Sequence, residues 1–200
     1  QSFEVDTTPP EAPLIELYAR SGSGDVVGFT VATGSDDITL DRVDGTGHVD
    51  QVSFRSMTSP FNPGQTLFDF ASDPAPNGSH LVMTAEDTAG NSTSTLFVLE
   101  ESLNNTVNVT SPGYDGFNIE AIDLKFAEDS VLTLSVADLE SLCAHSNQLT
   151  IHGGIDDTVN VIGASDTGAD ETIGGRTYSV YSFGGHGGTL IIDDAVSVHY

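Results

Sequence analysis

Positive charge is nearly missing from this 200-residue sequence: five Lys and Arg stand against 30 Asp and Glu, for a net charge of −25. The deficit is even. Residues 1–100 hold 15 acids and three bases, and residues 101–200 hold 15 acids and two, so the halves carry −12 and −13. A basic footprint for phosphate is lacking, which argues against a nucleic-acid partner and against docking on anionic lipid. Trp is absent, and with it the usual stacking platform of a glycosidase cleft. One cysteine, Cys143, supports neither a disulfide framework nor a Cys-based metal cluster. It reads as a small buried apolar residue. Apolar runs are short, as at 190–192, so no membrane-inserting span is expected. No signal peptide opens the chain, and residues 1–6 read as part of something longer.

What is present suffices for a core. Hydrophobic residues make up 38%, with ten Phe and five Tyr, so a folded chain is expected over a disordered one. Twenty-one Gly and eight Pro punctuate short stretches rich in Val, Ile, Leu, Thr and Phe, the texture of an all-β fold. Strands are expected at 14–18, 26–33, 49–54, 66–70, 80–86 and 93–99, then at 106–110, 121–126, 131–135, 148–151, 158–162, 177–183, 189–192 and 196–199. Ser135 followed by Asp138, with Val136, Leu139, Leu142 and Cys143 at helical spacing, predicts one short capped helix whose apolar face plugs one end of the second module. A boundary at residues 100–105 divides the chain into modules 1–101 and 102–200. Asn105-Thr-Val-Asn-Val109 echoes Asp157-Thr-Val-Asn-Val161, which reads as a repeated strand and not as a solenoid.

So many acids raise the question of a cation. Hard oxygen ligands on loops, without Cys, suit calcium. The candidates are Asp6, the pair Asp36 and Asp37, and Asp87 with Asn91. An Asp at the start of a module and another in a loop near its end can meet at one pole of a sandwich, where clustered carboxylates repel unless a cation joins them. Ordinary turn acids are the competing interpretation, since Asp and Asn favour turns. The pairs Asp156-Asp157 and Asp193-Asp194, with Asp115, Asp166 and Asp170, are candidates for a second ion without a motif. Gly184-Gly-His-Gly-Gly188 lacks the Asp of a calcium-binding nonapeptide and reads as a loop. No zinc spacing and no nucleophile elbow is present, and a Lys–Asn crosslink would have to use Lys125; no enzyme is expected.

Asp6-Thr-Thr-Pro-Pro-Glu-Ala-Pro13, followed about 80 residues later by Glu86-Asp-Thr-Ala-Gly-Asn91, resembles the bacterial immunoglobulin-like repeat of giant surface adhesins. The resemblance covers residues 5–100. It implies a β-sandwich in which Asp6 and Asp87 ligate calcium at the junction with a neighbouring module; Asp36 and Asp37 are weaker assignments, because the middle of the module departs from the repeat. In the second half, Ile119-Glu-Ala-Ile-Asp-Leu124, Leu132-Thr-Leu-Ser-Val-Ala-Asp-Leu139, Leu149-Thr-Ile-His-Gly153, Asp157-Thr-Val159 and Thr177-Tyr-Ser-Val-Tyr181 follow in order. Their succession over 117–198 resembles a module towards the C-terminal part of repeats-in-toxin (RTX) adhesins exported by type I secretion.

The expectation is therefore an extracellular, two-module, calcium-stiffened segment of a long bacterial adhesin, serving cell adhesion or biofilm formation. Its partners would be neighbouring modules of the same polypeptide. The alternative is a calcium-assisted module binding a surface glycan or peptide through Pro60-Phe-Asn-Pro63 and Pro112-Gly-Tyr-Asp-Gly-Phe117.

Overall fold

The computed structural model describes residues 6–32, 36–143, 145–185 and 187–200. Thr33, which ends an expected strand, and His186, within the glycine-rich loop, lie outside them. Eight strands come first: β1 (Ile15–Arg20), β2 (Val26–Val31), β3 (Asp37–Val43), β4 (Val49–Gln51), β5 (Arg55–Thr58), β6 (Thr66–Asp69), β7 (His80–Glu86) and β8 (Ser92–Val98). One antiparallel sheet runs β1-β2-β6-β5, and β8-β7-β3-β4 lie together in a second. This is the strand order of an immunoglobulin-like sandwich. Phe29 joins its layers, with ring centroids 5.7 Å from Phe68, 5.2 Å from Phe70 and 6.3 Å from Phe97.

The second half winds differently. Strands β9 (Thr106–Val107), β10 (Ile119–Asp123), β11 (Val131–Ser135), β12 (Gln148–His152), β13 (Thr158–Ile162), β16 (Thr189–Asp193) and β17 (Ser197–His199) alternate between two sheets. The order is β17-β13-β11-β9 in one sheet and β16-β12-β10 in the other, and every neighbouring pair is parallel. The chain thus forms a short two-sheet coil. The echoed segments are its rungs: Thr106 and Thr158 both stand opposite Val131, on either side of β11. The expectation of a repeated strand without a solenoid is corrected here, because unequal loops hide the coil's period. A hairpin, β14 (Ser165–Ile173) and β15 (Arg176–Ser182), is inserted between β13 and β16, and its β15 pairs antiparallel with β16. Helix α1 (Val136–Leu142) begins on Ser135 with a full capping box to Asp138, and Leu139, Leu142 and Cys143 are buried in the coil's core.

At the seam the sheet does not break. β10 pairs parallel with β8, matching Ile122 to Leu96 and Asp123 to Phe97, so a single nine-stranded sheet runs β14-β15-β16-β12-β10-β8-β7-β3-β4. Side chains alternate across a strand, and here both sides are dry. Phe97, Leu99, Leu81 and Met83 enter the sandwich core, whereas Leu96, Val98 and Val82 enter the coil's core. Contacts at the edge reinforce the join. Arg20 Nε lies 2.8 Å from Glu101, and the same guanidinium donates to Leu99 O at 2.9 Å. Tyr18 meets Phe126 edge-on at 4.8 Å. Gly113 approaches so closely that a Cβ there would sit 2.6 Å from Gly47 O.

The fold is all-β with one short α-helix among the described residues, as the sequence implies. Strands β3, β5 and β14 were not expected from the sequence. β5 and β14 are exposed almost throughout and show no buried alternation, and β3 opens on Asp37 and carries Asp41 and Arg42 between its buried Leu40 and Val43.

Truncation on either face of β8 should therefore be costly: Leu96→Ala by about 2–5 kcal/mol and Phe97→Ala by about 3–5 kcal/mol, from lost burial plus a cavity. Thr95 presents the reverse case, a buried hydroxyl without a hydrogen-bond partner among the described residues. Thr95→Val should stabilise by about 1 kcal/mol, since it removes an unsatisfied polar group at constant shape. Urea midpoints followed by tyrosine fluorescence measure all three.

Candidate functional site

Two groups of polar residues stand out, one expected from the sequence and one not. The first is a pole of the sandwich. The turn after β7 closes with Gly90 at φ 88°, and within it the Asp87 carboxylate accepts from Ala89 N at 2.8 Å, Asn91 N at 2.9 Å and Asn91 Nδ2 at 2.8 Å. These hydrogen bonds, that from the Asn91 side chain foremost, hold Asp87 below the usual carboxylate range. Asn91 Nδ2 also donates to Asp6 O at 3.3 Å, so the leading segment is tied to this turn. Asp37 pairs across the ladder with Glu86, at the same end of the sheet. Half-buried Asp36 lines a groove with Glu11 and Glu16.

Asp6, Asp37 and Asp87 thus share a pole, with Asp6 and Asp87 linked through Asn91, while Asp36 lies in the groove with Glu11 and Glu16. They do not converge. Among the described residues no group of three or more His, Cys, Asp or Glu is placed to hold a metal ion. The hard oxygen donors suit calcium in kind. A full coordination shell would need ligands beyond these side chains.

The second group crosses the nine-stranded sheet on the face that carries Phe97. Asp123 lies beside Phe97, His152 beside Asp123, Asp193 one step beyond the Ile151–Ile192 pair, and Tyr178 beside Asp193. All four polar residues are buried. Each has a partner of opposite character. Lys125 Nζ lies 3.2 Å from Asp123 Oδ2, and Arg176 Nε lies 2.7 Å from Asp193 Oδ2. His152 Nδ1 is 2.7 Å from the Tyr178 hydroxyl. Burial drives their titration: Asp123 is pushed up to about 6, against the pull of Lys125, and His152 down to about 4, helped by Lys125. Buried charges persist only when paired, and this row meets that condition strand by strand.

The remaining acids divide. Asp157 is buried and caps its loop, accepting from Gly154 N at 2.7 Å and Ser130 N at 3.2 Å; burial raises it to about 6. Asp194 accepts from Ser179 Oγ at 2.8 Å. Asp115, Asp156, Asp166 and Asp170 are exposed. Cys143 is buried, with Sγ 2.8 Å from Ile119 O. Of the two aromatic loops, Phe61 is 77% exposed, whereas Tyr114 is buried and Phe117 packs on the coil's core. The buried row did leave a trace in the sequence: Ile122-Asp123, Ile151-His152 and Ile192-Asp193 repeat one phrase, once per turn of the coil.

Asp123 sets a pH dependence. Its folded pKa lies above the unfolded value, so between about pH 4 and 6 the folded state binds more protons and stability falls as pH rises. A shift of about two units corresponds to roughly 3 kcal/mol. Asp157 acts in the same direction. Asp123→Asn should flatten the fall, seen in urea unfolding at pH 4 and pH 7; an unchanged slope would contradict the assignment. Compared with known family models, curated proteins and solved structures, the chain matches none.

Proposed function

We propose that this chain is a rigid, calcium-responsive spacer within a long bacterial surface adhesin of the RTX type, exported by type I secretion. The observation that carries the reading is the uninterrupted sheet from β4 to β14, whose middle strands β7 and β8 belong to both cores. A spacer must transmit load without a hinge, and a junction made of sheet hydrogen bonds plus two apolar layers has none to offer. The resemblance of Asp6–Pro13 and Glu86–Asn91 to adhesin repeats supplies the setting. The pole formed by Asp6, Asp37 and Asp87 supplies the place where calcium would act, with an adjoining module, backbone carbonyls and water completing its shell.

The physical role of the ion follows from charge. Exposed carboxylates at the pole repel one another in a chain of net charge −25. A divalent cation cancels that repulsion and fixes the angle to the next module, while the low calcium of a cell interior leaves that junction free to flex during export.

Calcium at one hundred times its dissociation constant should stabilise the fold by about 2.7 kcal/mol. For a chain of this size that corresponds to a Tm rise of roughly 5–10 °C. Asp87→Asn and Asp6→Asn should each reduce the rise by more than half. Calorimetry with calcium and with chelator makes the comparison; equal Tm values in both would remove the mechanism.

A further inference from the structure

The β1-β2-β6-β5 layer meets the sandwich core with one face, and among the described residues no layer lies over the other. On that outer face two rows of residues run across all four strands. Pairing sets Leu17 beside Thr30, Thr30 beside Leu67 and Leu67 beside Met57. Two residues further along, Ala19, Gly28, Asp69 and Arg55 line up in the same way. Alternation puts both rows on one side, because Phe29 and Phe68, which lie between them, enter the core.

A solvated sheet face ordinarily reads polar, yet the first row is apolar. Leu17 is 52% and Met57 47% exposed, and Phe61 stands exposed in the loop that joins β5 to β6. Thr30, between Leu17 and Leu67, is buried with its hydroxyl unpartnered among the described residues, so even the polar member of the row is closed to water. The second row is small at Ala19 and Gly28, which leaves a groove beside the ridge of Leu17, Leu67 and Met57.

The charges of this face set it apart from the rest of the molecule. Arg20, Arg42, Lys125 and Arg176 are each in an ion pair, and among the described residues Arg55 is the one base that is not. Asp69, directly across from it, is in no ion pair either and accepts from Ala71 N at 3.0 Å. The two rows therefore carry one positive and one negative charge, in a chain of net charge −25. Two copies can meet here without bringing acids together.

We propose that this face binds a second copy of the chain, about a two-fold axis that runs across the strands between the two rows. That operation lays the apolar ridge of one copy over the groove at Ala19 and Gly28 of the other, and brings each Arg55 diagonally to Asp69 of the partner subunit. The contact is complementary to itself in shape and in charge. Four strands about 4.8 Å apart and about five residues long give a face of roughly 20 Å by 15 Å. An interface of that size is weak and reversible. Copies of net charge −25 repel at long range, and salt screens that repulsion, whereas a surface ion pair contributes little to begin with. The dimer therefore tightens as salt rises. It is separate from the calcium pole and does not depend on it.

Sedimentation equilibrium of the whole chain in chelator, from about 10 μM to about 1 mM, covers the range of such a dimer. The mass should rise from one chain towards two with concentration, and association should tighten at least about threefold between about 0.1 M and 1 M NaCl. Leu17→Lys and Met57→Lys, both at exposed positions, should each weaken the dimer at least about tenfold while Tm stays within a few degrees. Arg55→Asp and Asp69→Arg should each self-associate more weakly than the native chain. An equimolar mixture of those two variants should dimerise more strongly than either alone, because opposite charges then face each other only between unlike copies. A single-chain mass at every concentration and salt, a dimer indifferent to Leu17→Lys and Met57→Lys, or a mixture no stronger than its components would overturn the proposal.

Discussion

The burial of β7 and β8 on both faces is the constraint from which the rest of the architecture follows. An ordinary sandwich strand shows water one side of its pleat, and its sequence alternates accordingly. Here Phe97 and Leu96, adjacent in the chain, lie in different hydrophobic cores. Neither core can be dismantled without exposing a strand of the other. That requirement accounts for the run Thr95-Leu-Phe-Val-Leu99 at the centre of a chain otherwise broken by Gly, Pro and Asp. Three hydroxyl residues of β8, Thr93, Ser94 and Thr95, are buried as well, with Ser94 and Thr95 opposite Ile119 and Ala121 of β10.

Extending the sheet by parallel strands has an electrostatic consequence. Past the sandwich, the Phe97 face is no longer covered by the β1-β2-β6-β5 layer, and polar groups take over: Asp123, His152, Asp193 and Tyr178, with Lys125 and Arg176 as counter-charges. Two of the chain's five bases are used here. The net charge of −25 is therefore unevenly available. Asp123, Asp157 and Asp193 are occupied in internal pairs and caps, and the exposed acids at the pole and along β14 carry the repulsion that calcium would answer.

Much of the fold was legible in the sequence where local chemistry is self-sufficient. The capping box at Ser135 and Asp138 needs no tertiary information, and β11 and β13 alternate cleanly enough to fix their limits. The pole was legible through its phrases, because an Asp-x-Ala-Gly-Asn turn satisfies its own carboxylate. The rest depended on register. β14 lies along the hairpin with hardly any buried residue, so no periodicity marks it. The coil was hidden because its turns differ in length, one holding α1 and another a hairpin. The buried row around His152 was unreadable because its neighbours Tyr178 and Asp193 come from strands far downstream, and only the parallel β12–β16 pairing together with the antiparallel β15–β16 pairing aligns them.

The central claim is that the sandwich and the coil form one cooperative unit through β7 and β8. Native-state hydrogen exchange tests it most directly. Amides of β2, in the sandwich, and of β12, in the coil, should exchange with the same opening free energy and the same denaturant dependence as those of β8, because each requires global unfolding. Protection lost in one half at a distinctly lower free energy, with β8 and the other half still closed, would contradict the account.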